Sequence, residues 1–279
     1  MNALKTGFLL TILTLILIFV GRALGGQQGM IIAFFFALMM NGISYWFSDK
    51  IILTMYGARE VSASQAPELH RIVANLSQRA NLPMPKVYFI PSQSPNAFAT
   101  GRNPQHAAVA VTKGLMEILD EDKLEGVIGH ELSHIKNRDI LIACVAATVA
   151  GAITVLAQMG RFAMIFGGGR GARSRDGIVP LLMIIIAPIA ALIIQMWISR
   201  TREYQADENA ASLTGKPLAL ADALRSLETY SKRIPLPASP ATAHLFIVNP
   251  LSGGGLLTLF STHPPLKDRI LRLEGLVRG

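Results

Sequence analysis

The sequence predicts an α+β catalytic domain assembled from two polar segments and attached to four transmembrane helices. Three observations lead there. Of 279 residues, 51% are hydrophobic and only 16% are charged, a balance wrong for a wholly soluble domain. The apolar residues gather in four long stretches separated by polar chain. Between the second and third stretches, helical spacing gives way to short β-rich runs and then returns.

The elements follow in chain order. Residues 8–20 carry no charge and extend to about residue 24 with Gly21 and Arg22 at the interface. Lys5 makes a weak signal-peptide start and no cleavage site follows, so the stretch reads as a retained span. Residues 30–47 are the second span, and residues 1–47 together form a membrane hairpin. A hydrocarbon core of about 30 Å needs about 20 helical residues.

Residues 48–139 are the first polar segment. Leu69, Ile72, Val73 and Leu76 give residues 66–80 helical spacing. Strands follow at 86–90, 96–101 and 107–111, expected to pair antiparallel, and then a helix at 113–119. The next helix covers 124–139, with Asp120 as N-cap, Glu121 and Asp122 in its first turn and Lys136 and Arg138 in its last. Residues 140–198 form a second hairpin, with spans at 140–159 and 178–198, the latter holding Pro180 and Pro188. Its loop, 167–173, is rich in Gly and Arg. Residues 199–279 are the second polar segment.

Four spans put both polar segments on one side, where they fold together. Lys and Arg near the membrane are more numerous on that side, which places the catalytic domain in the cytoplasm. The arginines of the 167–173 loop count against this topology, and a reporter at Gly168 that behaved as cytoplasmic would exclude it. Cys144 is the one cysteine, so no intramolecular disulfide forms. The net charge of +8 points to the anionic head groups of a lipid bilayer, and no motif points to nucleic acid.

The chemistry is concentrated in His130-Glu131-Leu132-Ser133-His134. Positions four apart on a helix share a face, so both imidazoles can hold one metal ion with Glu131 beside its water. A hydrolytic zinc site needs a third protein ligand and keeps a fourth position for water. Glu203 and Asp207, four apart on the helix that follows the last span, supply it. Glu203 is the carboxylate ligand, and Asp207 accepts the other ring N–H of a ligand histidine. Ala206, Ala210 and Ala211 let that helix approach the motif helix closely. Glu131 is then the catalytic base, zinc is bound at one ion per chain, and His263 is a candidate donor for the oxyanion. The strand with Asn96, Ala97, Phe98 and Ala99 offers its free edge to an extended substrate. His70, His106 and His244 read as structural or solvated.

The run Gly129 to Asp139 resembles the zinc helix of the HtpX-type membrane proteases, relatives of the CAAX prenyl proteases. Glu203-x-x-x-Asp207 resembles their third-ligand motif, and Asn96-Ala97-Phe98-Ala99-Thr100-Gly101 a segment near their active-site strand. Thr262-His263-Pro264-Pro265 with Arg269-Ile270 resembles their C-terminal signature. The resemblance implies a gluzincin-like zinc metalloprotease: a multi-pass endopeptidase of the bacterial inner membrane that cleaves misfolded or damaged membrane proteins. Two rivals are weaker. An intramembrane protease would carry the motif inside an apolar span, whereas this helix holds Glu125, Lys136 and Arg138. A non-proteolytic sensor or chaperone-like protein with a structural metal would fill all four ligand positions, commonly with Cys.

Overall fold

A mixed four-stranded sheet between two helical layers carries the metal-motif helix. The computed structural model describes residues 2–141, 143–145, 200–234, 242–248 and 264–277. The loop at 167–173 and most of the spans at 140–159 and 178–198 lie outside these residues.

The first helix, α1 (Asn2–Met55), is 54 residues long in its hydrogen-bonding pattern. It is not one straight rod. Thr14 and Asn41 would stand about 40 Å apart in a straight helix, yet Asn41 Nδ2 donates to Thr14 Oγ1 at 2.8 Å. The chain reverses at Gly26, whose φ of +60° suits a residue without Cβ. Gly21 and Gly29 then face each other so closely that a Cβ on Gly21 would lie 2.4 Å from the Gly29 carbonyl oxygen. The expected hairpin is therefore helical, and it extends past residue 47. Ile52 and Leu53 are buried against Phe98 and Phe246, so its second arm ends inside the polar domain.

After β1 (Arg59–Glu60) and α2 (Pro67–Arg79) come β2 (Lys86–Ile90), β3 (Ala97–Gly101) and β4 (Ala107–Thr112). The strand order is β1-β2-β4-β3. β1, where no strand was expected, pairs antiparallel with β2. Of the three strands expected to pair antiparallel, β3 and β4 do so but β2 and β4 run parallel. The cause is the chain crossing after β2 to the far edge. β4 is wholly apolar apart from Thr112 and buried at every residue, so it takes the central place. Val87, Val109 and Val111 point to one face, toward α2 and the motif helix, while Ile90, Phe98, Ala108 and Ala110 point to the other.

Thr112 Oγ1 accepts from Leu115 N–H and caps α3 (Lys113–Ile118). The motif helix α4 (Glu121–Lys136) starts as expected, with Asp120 accepting from Lys123 N–H. It stops three residues short of Asp139. Arg138 has a φ of +56°, Arg138 N–H bonds Ile135 C=O, and Asp139 N–H bonds His134 C=O, which is a Schellman ending. The second polar segment adds α5 (Arg200–Thr214), α6 (Pro217–Arg233) and α7 (Leu266–Gly275). α4 packs on α5 and α6 through its glycines. A Cβ on Gly129 would stand 3.5 Å from Ala210, and one on Gly126 3.0 Å from Leu220.

Candidate metal and active site

The two helices α4 and α5 meet so that pairs of residues four apart interlock. His130 and His134 project from α4, Glu203 and Asp207 from α5. His130 Nε2 and His134 Nε2 are 3.1 Å apart, and each lies 3.6 Å from an oxygen of Glu203. Among the described residues, these three form a group whose ligand atoms all lie within 4.8 Å of one another.

This geometry fits a metal ion. A tetrahedral ion with bonds of about 2.0–2.1 Å has donor–donor edges of about 3.3–3.4 Å, close to the three distances seen. Two imidazole nitrogens facing each other at 3.1 Å oppose their lone pairs unless a metal ion or a shared proton lies between them. Each ring is turned that way by its other nitrogen. His130 Nδ1 lies 2.9 Å from Asp207 Oδ1, and His134 Nδ1 lies 3.3 Å from Asp139 Oδ2. An N–H donated there leaves each Nε2 free to ligate.

The charges agree. Burial alone would lower the His134 pKa, but Asp139, Glu203 and Glu131 overturn that and push it up to about 10. The pocket draws positive charge. Burial raises the Glu131 pKa, while the two imidazoles and a hydrogen bond from Ala99 N–H pull it down. Burial opposes ionisation of Asp207 as well, yet Arg269 holds its carboxyl below the usual range. Asp139 Oδ1 is buried without a hydrogen-bond partner among the described residues.

Two participants carry no role in the sequence reading. Asp139 reaches His134 only because α4 ends in the turn at Arg138. Arg269, on α7, is wholly buried and donates from Nε and Nη2 to Asp207 at 2.8 and 2.7 Å. Its place in the C-terminal signature was the available signal. Of the residues assigned to substrate contact, Ala99 lines the cavity beside Glu131, but Asn96, Ala97 and Phe98 do not. Asn96 Nδ2 holds Val248 C=O at 3.1 Å, Ala97 C=O accepts from Ile247 N–H, and Phe98 packs on Tyr56 and Phe246. His263 lies outside the described residues. His70 bonds Val61 C=O, and His106 is held by Asn103 Oδ1, which caps the turn by accepting from His106 N–H. His244, read as structural, lines the cavity with its Nε2 3.0 Å from Ala143 C=O.

A family model described as Peptidase family M48 matches residues 63–277. The chain belongs to peptidase family M48. Among M48 relatives, a protease HtpX homolog of Thermodesulfovibrio yellowstonii is 58% identical over 280 residues, covering 100% of this chain and 99% of its own. Another, from Desulforapulum autotrophicum, is 56% identical over 276 residues, covering 98% of this chain and 89% of its own. The crystal structure of S. mikatae Ste24p matches with a TM-score of 0.53 at 19% identity, over 94% of this chain and 62% of that one. This M48 peptidase is thus a metal-dependent protease, and the reading as a non-proteolytic sensor or chaperone finds no support.

Proposed function

We propose that this peptidase is a zinc-dependent endopeptidase that cuts misfolded or damaged membrane proteins at the cytoplasmic face of the bacterial inner membrane. The observation that carries the zinc reading is the triangle of His130, His134 and Glu203, with its third-ligand carboxylate on a helix from the other polar segment. Zinc, when bound, supplies Lewis acidity that brings the pKa of a water to about 7 and polarises a carbonyl.

The chain's own residues do the rest. Asp207 and Asp139 hold the ligand imidazoles by their Nδ1 atoms. Glu131 takes the proton of the attacking water and delivers one to the leaving amine. Burial raises its pKa, the direction that suits a group which must take up and return a proton. His263, next to the buried Pro264, is assigned to steady the negative charge developing on the scissile carbonyl. An extended substrate pairs with the outer edge of β3 through the Ala99 carbonyl, beside Glu131, while Ala97 C=O is held by Ile247 and Asn96 and Phe98 fix the strand. Main-chain pairing of this kind demands little of the substrate's side chains.

The membrane reading has two supports. The stretch Gly26–Met55, 30 residues of mean hydropathy 1.7, is long enough to cross a bilayer. It exposes Ile32 and Phe35 at 66% each. Arg102 stacks 4.6 Å over Trp46 near the polar end of this helix, an aromatic–cation pairing suited to the head-group level. Four spans, with the catalytic segments at 48–139 and 199–279, complete the proposed topology.

The test is metal analysis paired with casein degradation by the detergent-purified chain. Wild type and Glu131→Gln should each hold one zinc, and only wild type should cleave. Cleavage by Glu131→Gln would remove the base assignment, and cleavage by a metal-stripped wild type would remove the metal.

A further inference from the structure

We propose that Arg269 is a positioning residue that couples the metal ligands to the segment 244–248, which caps one end of the β3 edge. The proposal rests on the metal reading of the site. Arg269 has 0% exposure, and a buried guanidinium must satisfy its donors within the protein. Two of its nitrogens are used by Asp207, which orients His130. The third, Nη1, does something a simple ion pair does not require. It donates to Ile247 C=O at 2.9 Å and lies 3.6 Å from Glu203 Oε2.

Ile247 leads directly to the substrate edge. Its N–H bonds Ala97 C=O at 3.3 Å, on the side of β3 away from β4. The neighbouring Val248 C=O is held by Asn96 Nδ2. One rigid planar group therefore touches a metal ligand, the aspartate that aims a second ligand, and the main chain that blocks the Ala97 end of the edge. Lysine could not replace it, because an ammonium lacks the flat fork that serves three directions at once.

The direction of coupling follows from charge. Without a metal, the Glu203 carboxylate 3.6 Å away draws Nη1 toward itself by charge, against the bond to Ile247. A divalent cation on Glu203 neutralises that pull and commits Nη1 to the Ile247 carbonyl. Metal binding should therefore tighten segment 244–248 and fix where the free edge of β3 begins. By linkage, an ordered segment should also favour metal.

The experiment is hydrogen exchange on the full chain in detergent, stripped by chelator and then titrated with Zn2+ alone, with bound zinc measured in parallel. In wild type, zinc should slow exchange across 244–248 by about fivefold or more, the lower end of ordinary coupling between sites. In Arg269→Lys that difference should vanish while α2 and α6 keep their protection. Zinc binding that leaves wild-type 244–248 unchanged overturns the coupling and spares the metal site. Absence of zinc binding overturns both. A zinc-dependent difference that survives in Arg269→Lys also overturns the proposal. Should that variant lose protection in α2 and α6, the charge-balanced pair Arg269→Met with Asp207→Asn takes its place. Both variants are read at zinc concentrations where the parallel measurement shows the ion bound. Persistence of the zinc effect in that pair overturns the coupling, and its loss with zinc bound and α2 and α6 intact supports it.

Discussion

One left-handed residue decides half of the imidazole geometry. Arg138 turns the chain at the end of α4, and Asp139 swings back to His134 Nδ1. Replacing Asp139 with Asn should leave the fold intact and weaken metal binding by about 10–100-fold, the usual cost of losing a carboxylate behind a ligand histidine. Metal titration against a competing chelator reads this directly, and unchanged affinity would deny Asp139 its role. The motif His130-Glu131-x-x-His134 was visible in sequence because its chemistry lies within five residues of one helix. Asp139 was not, since its role depends on how the helix stops. Arg269 stood in the C-terminal signature, but its role was not legible, since its partner Asp207 is 62 positions away in the chain.

At the scale of elements, α4 is held by its cap and by its smooth face. Asp120→Ala removes the N-cap and should cost about 1 kcal/mol near neutral pH. The hydrogen bond from Lys123 holds the Asp120 pKa below the ordinary carboxyl value. Its contribution is therefore complete above that ordinary value and fades as pH falls through the lower folded value. Denaturation of wild type and variant should accordingly converge in acid. Gly129→Leu tests the other side of the helix. Its side chain would drive into Ala210 and Thr214, parting α4 from α5. Stability and metal content should fall together, because the same contact brings Glu203 to the histidines. The β-rich runs were legible from composition, but their order was not. Short strands of similar character do not state their neighbours, and burial on both faces drew β4 to the centre and left β3 with an open edge.

For the whole molecule, the decisive feature is a hairpin that enters the catalytic domain. Thr14 and Asn41 meet across its two arms. With Cys144 replaced by Ser, cysteines at positions 14 and 41 should cross-link under mild oxidation, and gel mobility before and after reduction reads the bond. Two cysteines that never join would mean the arms do not pair. Because α1 reaches Ile52 and Leu53, which cluster with Phe98 and Phe246, the hairpin and the edge strand share one apolar core. Phe98→Ala should cost about 3–5 kcal/mol and loosen α1 from β3 as well as the strand itself. Thermal unfolding followed by helix signal would show both.

Sequence alone determined the chemistry of the motif helix and where strands and apolar stretches fall in the first 141 residues. Ligand spacing on a helix, apolar length and strand composition are local properties, and each is written in neighbouring residues. Tertiary structure alone decided which groups stand behind the ligands and which part of β3 remains accessible. Those depend on the two polar segments closing on each other across the intervening chain, where a buried arginine on α7 finds an aspartate on α5 and a carbonyl at Ile247. Charges hidden from water must pair with whatever the fold brings near, and no spacing along the chain announces that choice.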